Sequence, residues 1–125
     1  MTKAMIGIDL GGTNVKTAVV SREGEVMGKD SRPTDADQGL EAVLDKMVEG
    51  VDAALQAAKV RRADVLAAGI GAPGPMNWQT GVVFAPPNLP GWKDVPLARL
   101  MRERGGDIIF MTLALFFTGR ASGQG

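Results

Sequence analysis

The sequence predicts an α/β domain whose strands and helices follow in the order β-β-β-α-β-α. Three observations carry that expectation. Apolar residues alternate on either side of a glycine turn near the N-terminus, apolar positions recur at three- and four-residue spacing between residues 40 and 58, and Val65–Ala72 is almost wholly apolar.

Each element has its own cause. Ala4–Leu10 and residues 15–20 read as strands around Gly11-Gly12, and Arg22-Glu23-Gly24 is a second turn into a short strand at 26–29, so three antiparallel strands open the chain. Arg32-Pro33-Thr34-Asp35-Ala36-Asp37 reads as a polar loop. Leu40, Val43, Leu44, Met47, Val48, Val51, Leu55 and Ala58 then form the apolar stripe of a helix of about five turns. Asp37 and Glu41 lie near its start and Lys59, Arg61 and Arg62 at its end, an order that complements the helix dipole. Val65–Ala72, with so little polar character, is expected to be a strand buried on both faces. It runs into Gly69-Ile70-Gly71-Ala72-Pro73-Gly74, the spacing of a dinucleotide-binding turn, but that motif needs a helix to begin inside it, and Pro73, Pro75, Asn77 and Gly81 forbid one.

Five of the seven prolines fall between residues 73 and 90, which makes this excursion a stiff rim rather than a loose linker. It holds a short strand at 82–84 and then Pro86-Pro87-Asn88-Leu89-Pro90-Gly91-Trp92. Trp78 and Trp92 read as anchors of the loop to the core. A helix fits 96–104, begun by Asp94 and Pro96 and ended by Gly105-Gly106. Residues 108–117 contain a single polar residue and are half the length of the ~20-residue span that crosses a bilayer, so they read as a buried strand or an anomalous end.

Composition narrows the function. The 125 residues amount to one domain, and 14 basic residues balance 14 acidic ones with no basic cluster longer than Arg61-Arg62, so neither nucleic acid nor a membrane is an expected partner. Without cysteine or histidine there is no disulfide, no common zinc site and no thiolate or imidazole chemistry; a catalytic base would have to be a carboxylate. Met1-Thr2-Lys3 leads straight into the first apolar run without a signal-peptide core, which places the chain in the cytoplasm as an expectation.

The chemistry concentrates in Ile6-Gly7-Ile8-Asp9-Leu10-Gly11-Gly12-Thr13-Asn14-Val15-Lys16, where a strand ends on a carboxylate and turns through two glycines into a hydroxyl, an amide and a lysine. Gly11 and Gly12 are expected at positive φ, with bare backbone N–H groups open to a phosphate. Thr13 adds a hydroxyl, Lys16 a positive charge, and Asp9 a hard oxygen suited to Mg²⁺ through water. The plainer alternative is an ordinary tight hairpin.

Asp9-Leu10-Gly11-Gly12-Thr13-Asn14, Gly69-Ile70-Gly71-Ala72-Pro73-Gly74-Pro75 and Pro87-Asn88-Leu89-Pro90-Gly91-Trp92 together resemble the N-terminal half of ROK-family sugar kinases, bacterial glucokinases in particular, over residues 4 to about 104. The resemblance implies one lobe, the first, of the actin-like, ribonuclease H-like ATPase fold, an α/β lobe built on a mixed five-stranded sheet. It further implies that Asp9, Gly11, Gly12 and Thr13 contact ATP phosphates and Mg²⁺, with Asn14 and Lys16 flanking them, and that Gly74 and Asn88 line a sugar pocket, with glucose as the foremost substrate. A homo-oligomeric full-length parent is implied too.

The departure from the family is as specific as the match. The family's Asn-Asp pair, whose Asp is the general base, falls near residues 111–114, where this chain reads Met111-Thr112-Leu113-Ala114, and the following Gly-Glu is Gly119-Arg120. Thr112 cannot replace a carboxylate, and Asp107 stands about five residues too early on the expected strand. The expected organisation is therefore a kinase-type lobe over 1–106 and an unmatched apolar tail over 107–125, as truncation or a shifted reading frame would produce. On that reading the chain is inactive alone. Kinases for another hexose or an N-acetyl amino sugar, and non-catalytic sugar-sensing regulators of the same family, are the alternatives.

Overall fold

The computed structural model describes residues 3–72, 76–77, 79–80, 82–83, 89, 91–106 and 108–114. Strict alternation makes the first strands. In β1 (Ala4–Leu10), Ala4, Ile6, Ile8 and Leu10 are buried while Met5, Gly7 and Asp9 point outward; in β2 (Asn14–Ser21), Val15, Thr17 and Val19 are buried and Asn14 and Lys16 exposed. The two pair antiparallel from Ala4 opposite Ser21 to Leu10 opposite Val15, and β3 (Val26–Pro33) adds antiparallel to β2.

β3 is longer than the predicted 26–29. Its charged half is held in the strand because Arg32 donates to Asp30 at 2.7 Å and to Glu49 at 3.0 Å, so residues that read as a loop satisfy one another at a sheet edge. Pro33, which has no N–H to give a ladder, stands at its last position.

Helix α1 (Leu40–Ala58) crosses one face of this meander and buries Val43, Leu44, Met47, Val51, Ala54 and Leu55. The approach is closest at Gly28, where a Cβ would lie 2.5 Å from the Ala58 backbone nitrogen and 2.8 Å from the Ala54 carbonyl. The helix ends at Lys59, a left-handed cap, so the basic end expected of it begins at the cap residue and not within the last turn. Arg61 and Arg62 lie beyond it. Arg62 reaches back to Asp52 at 2.8 Å and to the Gly105 carbonyl, tying α1 to the end of the second helix.

The crossover delivers β4 (Val65–Ala72) parallel to β1, with Gly7 opposite Gly69 and Asp9 opposite Gly71. β4 is buried on one face only: Ala68, Ile70 and Ala72 face α1 while Ala67, Gly69 and Gly71 stay partly open. Its apolar character on the open side comes from small residues, not from a second covering layer.

β5 (Met76–Asn77), β6 (Val82–Val83) and β7 (Val95–Pro96) form a small antiparallel sheet in that order, and helix α2 (Leu97–Arg104) follows one residue later than predicted, with Pro96 as its cap and no side-chain cap from Asp94. Trp92 is buried in the core beside Leu89, Val95 and Leu97, as an anchor should be. Arg104 pairs with Glu41 and Asp45 and so fastens α2 to α1.

β8 (Phe110–Ala114) joins β4 in parallel and completes a five-stranded sheet ordered β3-β2-β1-β4-β8. Ile108, Phe110 and Thr112 are buried, whereas Ile109 and Met111 are exposed. The sheet thus continues past the expected division at residue 106. Among the described residues no helix is long and apolar enough to cross a membrane.

Candidate phosphate-binding site

The parallel strands β1, β4 and β8 bring their carboxyl ends to one rim, the place where open α/β sheets bind ligands. At that rim the β1–β2 hairpin turns. Gly11 N–H donates to the Asn14 carbonyl at 3.0 Å, leaving Gly12 and Thr13 at the tip, and Thr13 and Asn14 are exposed.

Neither Gly11 nor Gly12 has positive φ; among the described residues the glycines that do are Gly24, Gly39, Gly91 and Gly106. That corrects the expectation of a left-handed turn. Space, not φ, selects glycine at 11, since a Cβ there would stand 3.0 Å from the Asn14 carbonyl oxygen that the turn uses.

On the side of the sheet away from α1 lies a cleft of about 720 Å³, lined by Gly7, Asp9, Lys16, Ala18, Lys29, Ser31, Gly69 and Gly71 among others. Its floor is glycine and alanine because the outward positions of β1, β2 and β4 are small, and its polar groups come from the same alternation. Asp9 and Lys16 are direct cross-strand partners. Lys16 faces Ser31, and Lys29 lies two residues further along β3. Two ammonium groups and one carboxylate therefore look into an open trough beside bare backbone. That set can hold an anion through the lysines and the turn. Among the described residues the Asp30 carboxylate is bound to Arg32 on the α1 side, which leaves Asp9 as the carboxylate turned into the cleft, a group suited to Mg²⁺, an ion that keeps several waters and takes the rest of its oxygens from phosphates.

The structure thus brings together Asp9 and Lys16 within the cleft and Gly11, Gly12, Thr13 and Asn14 on the turn at its end. Gly74, Asn88, Asp107, Gly119 and Arg120 lie outside the described residues, as does Trp78. Thr112 is 3% exposed, sits opposite Ile70 on the α1 side of the sheet, and its hydroxyl has no partner among the described residues. It faces away from Asp9. Sequence reasoning missed Thr34, which is fully buried and donates from its hydroxyl to the Gly11 carbonyl at 2.7 Å and from its N–H to the Thr13 carbonyl at 2.9 Å. A threonine among polar loop residues carries no local signal of this; only the pairing of β2 with β3 places it beneath the turn.

The ROK family model matches residues 5–112, which takes in the first residues of β8. A glucokinase of Thermotoga maritima is 34% identical over 107 residues, 86% of this chain and 32% of that protein. A putative xylose repressor of a Caldicellulosiruptor species is 31% identical over 82% of this chain and 25% of its own length. Among solved structures, a ROK family glucokinase of Streptomyces griseus, in complex with glucose and AMPPNP, superposes with a TM-score of 0.76 at 28% identity, covering 89% of this chain and 33% of that one. The chain therefore spans a third or less of the length of these relatives. Its mixed sheet is that of an actin-like kinase lobe. With the three motifs, the sheet order and the match over residues 5–112 in agreement, the chain belongs to the ROK family.

Proposed function

We propose that this chain is the phosphate-binding lobe of an ATP-dependent sugar kinase of the glucokinase type, which transfers the γ-phosphoryl group of ATP to the 6-hydroxyl of glucose. The observation that carries the reading is the pairing of Asp9 with Lys16 on a glycine-floored cleft, next to the Gly11–Asn14 turn.

In this reading the turn's backbone N–H groups and the Thr13 hydroxyl hold phosphate oxygens, and Lys16 offsets their charge. Asn14 flanks them. Asp9 would hold Mg²⁺ through water, and the ion's role when bound is to draw charge from the phosphates. Gly74 and Asn88 are proposed as sugar contacts. The base that would take the proton of the sugar hydroxyl is not supplied by Met111-Thr112-Leu113-Ala114, and a positioned base contributes about 10²–10⁴-fold. The chain alone is thus expected to bind phosphates and not to turn over.

The likeness to a putative xylose repressor supports a second reading, a sugar-sensing regulator without phosphoryl transfer. Calorimetry with Mg·ATP and a coupled assay with glucose test both. Weak, Mg²⁺-dependent binding of ATP that is lost in Asp9→Asn, without turnover, is the expected result. A folded chain that takes up no nucleotide at millimolar concentration overturns the phosphate reading. Turnover by this chain that disappears in Thr13→Ala overturns its inactivity.

A further inference from the structure

We propose that Thr34 is the positioning residue of the phosphate turn, fixing two of its carbonyls so that the Gly12 N–H is aimed into the cleft. The proposal rests on the phosphate reading above. Thr34 follows β3 by one residue and is fully buried, continuing the inward row of Asp30 and Arg32. From there it holds the turn twice: the hydroxyl donates to the Gly11 carbonyl at 2.7 Å, and the backbone N–H to the Thr13 carbonyl at 2.9 Å.

The consequence follows from peptide planarity. In a trans peptide the C=O and the next N–H point in opposite directions. With the Gly11 carbonyl drawn down to the Thr34 hydroxyl, the Gly12 N–H is turned the other way, to the side where Asp9 and Lys16 stand. The Gly11 N–H is already committed to the Asn14 carbonyl, so it is not available to an anion. Among the described residues no group accepts from the Gly12 N–H, which is thus a free donor of the turn with a fixed direction. A hydroxyl 23 residues away in sequence thereby sets a group that phosphate would meet. Without it the Gly11–Gly12 peptide, flanked by glycines, can rotate, and the donor loses its pre-set direction.

The test compares Thr34→Val, which keeps shape and branching but removes the hydroxyl, with Thr34→Ser, which keeps the hydroxyl. Magnesium tripolyphosphate is titrated into the 125-residue chain and its variants by calorimetry and by amide NMR, with thermal midpoints measured alongside. Expected are a Gly12 amide that shifts most, binding about fivefold to tenfold weaker in Thr34→Val, and binding within about twofold of the parent in Thr34→Ser. A purely structural role would lower the midpoint and leave affinity of the folded protein unchanged. Parent-like binding by Thr34→Val, or a Gly12 amide that stays still while its neighbours move, overturns the proposal and leaves the phosphate site standing. No binding by the folded parent overturns the phosphate reading, and this inference with it. If Thr34→Val does not fold, Thr34→Cys, of similar size and with a much weaker donor, carries the same expectation of weaker binding.

Discussion

The two faces of the five-stranded sheet are written in the same strands, one residue apart, and do different work. The face under α1 carries Ile6, Ile8, Leu10, Val15, Val19, Ile70 and Phe110, all nearly inaccessible. The other carries Gly7, Asp9, Lys16, Ala18, Gly69 and Gly71, small or charged, around an open cleft. Large side chains on one face supply the burial that holds the sheet; small ones on the other leave room for a ligand against the backbone. Period-two alternation thus divides the packed core from the open cleft within single strands.

Adjacent residues of β8 give the sharpest test. Phe110 is 1% exposed and Met111 47%. Phe110→Ala is expected to cost about 3–5 kcal/mol in denaturant unfolding, as for other buried aromatic truncations. Met111→Ala should change stability by less than about 0.5 kcal/mol. Equal costs would mean that the outer face is packed and the comparison wrong.

Glycines offer a second contrast. A Cβ on Gly28 meets the α1 backbone at 2.5 Å, whereas one on Gly7 has nothing within 4 Å. Gly28→Ala should therefore destabilise by about 1–3 kcal/mol, because neither strand nor helix backbone can step aside cheaply. Gly7→Ala should be neutral or stabilise by up to about 1 kcal/mol, since glycine is a poor strand residue. A loss of stability in Gly7→Ala equal to that in Gly28→Ala would deny that the cleft is empty space.

The smallest effect is expected at the opposite rim, where the parallel strands begin. The Asp64 carboxylate, hydrogen-bonded by Arg61 and attracted by the charges of Arg61 and Lys3, is held below its ordinary value of 3.8 despite some opposing desolvation. A carboxyl depressed in the folded state stabilises it above the unfolded pKa, and that contribution fades as pH falls through the folded value. The parent should lose stability relative to Asp64→Asn on acidification below about pH 4 and show no such difference in slope near neutrality. Parallel acid melting curves for the two would remove the assigned interaction.

Much of this was legible because alternation and helical spacing are local. β1, β2, β4 and α1 follow from patterns of apolar residues, and Asp9, Lys16 and the turn stand out as candidates by residue type alone. What was not legible depended on partners distant in sequence. Arg32 and Thr34 read as polar loop until Glu49 is brought beside the one and β3 carries the other under Gly11. Gly11 and Gly12 depart from the expected positive φ because glycine permits it without requiring it. β4 departs from the two-sided burial its sequence suggests because Ala67, Gly69 and Gly71 are apolar yet too small to need covering.

The end-to-end order of the sheet leaves its two outermost strands unlike each other. β3 at one side carries Lys29, Asp30, Arg32 and Pro33, and the β2–β3 register shifts between Val19 and Val20, features that discourage a further strand from adding. The edge at the other side is apolar, with Ile109, just before β8, and Met111 within it both exposed. Because the Ile109 carbonyl accepts from Ala68, that of Phe110 points outward, and there the Arg102 guanidinium donates to it at 2.9 and 3.1 Å. One arginine of α2 thus fills an acceptor on the edge of the last described strand, so a further strand could pair with that carbonyl only by displacing the guanidinium.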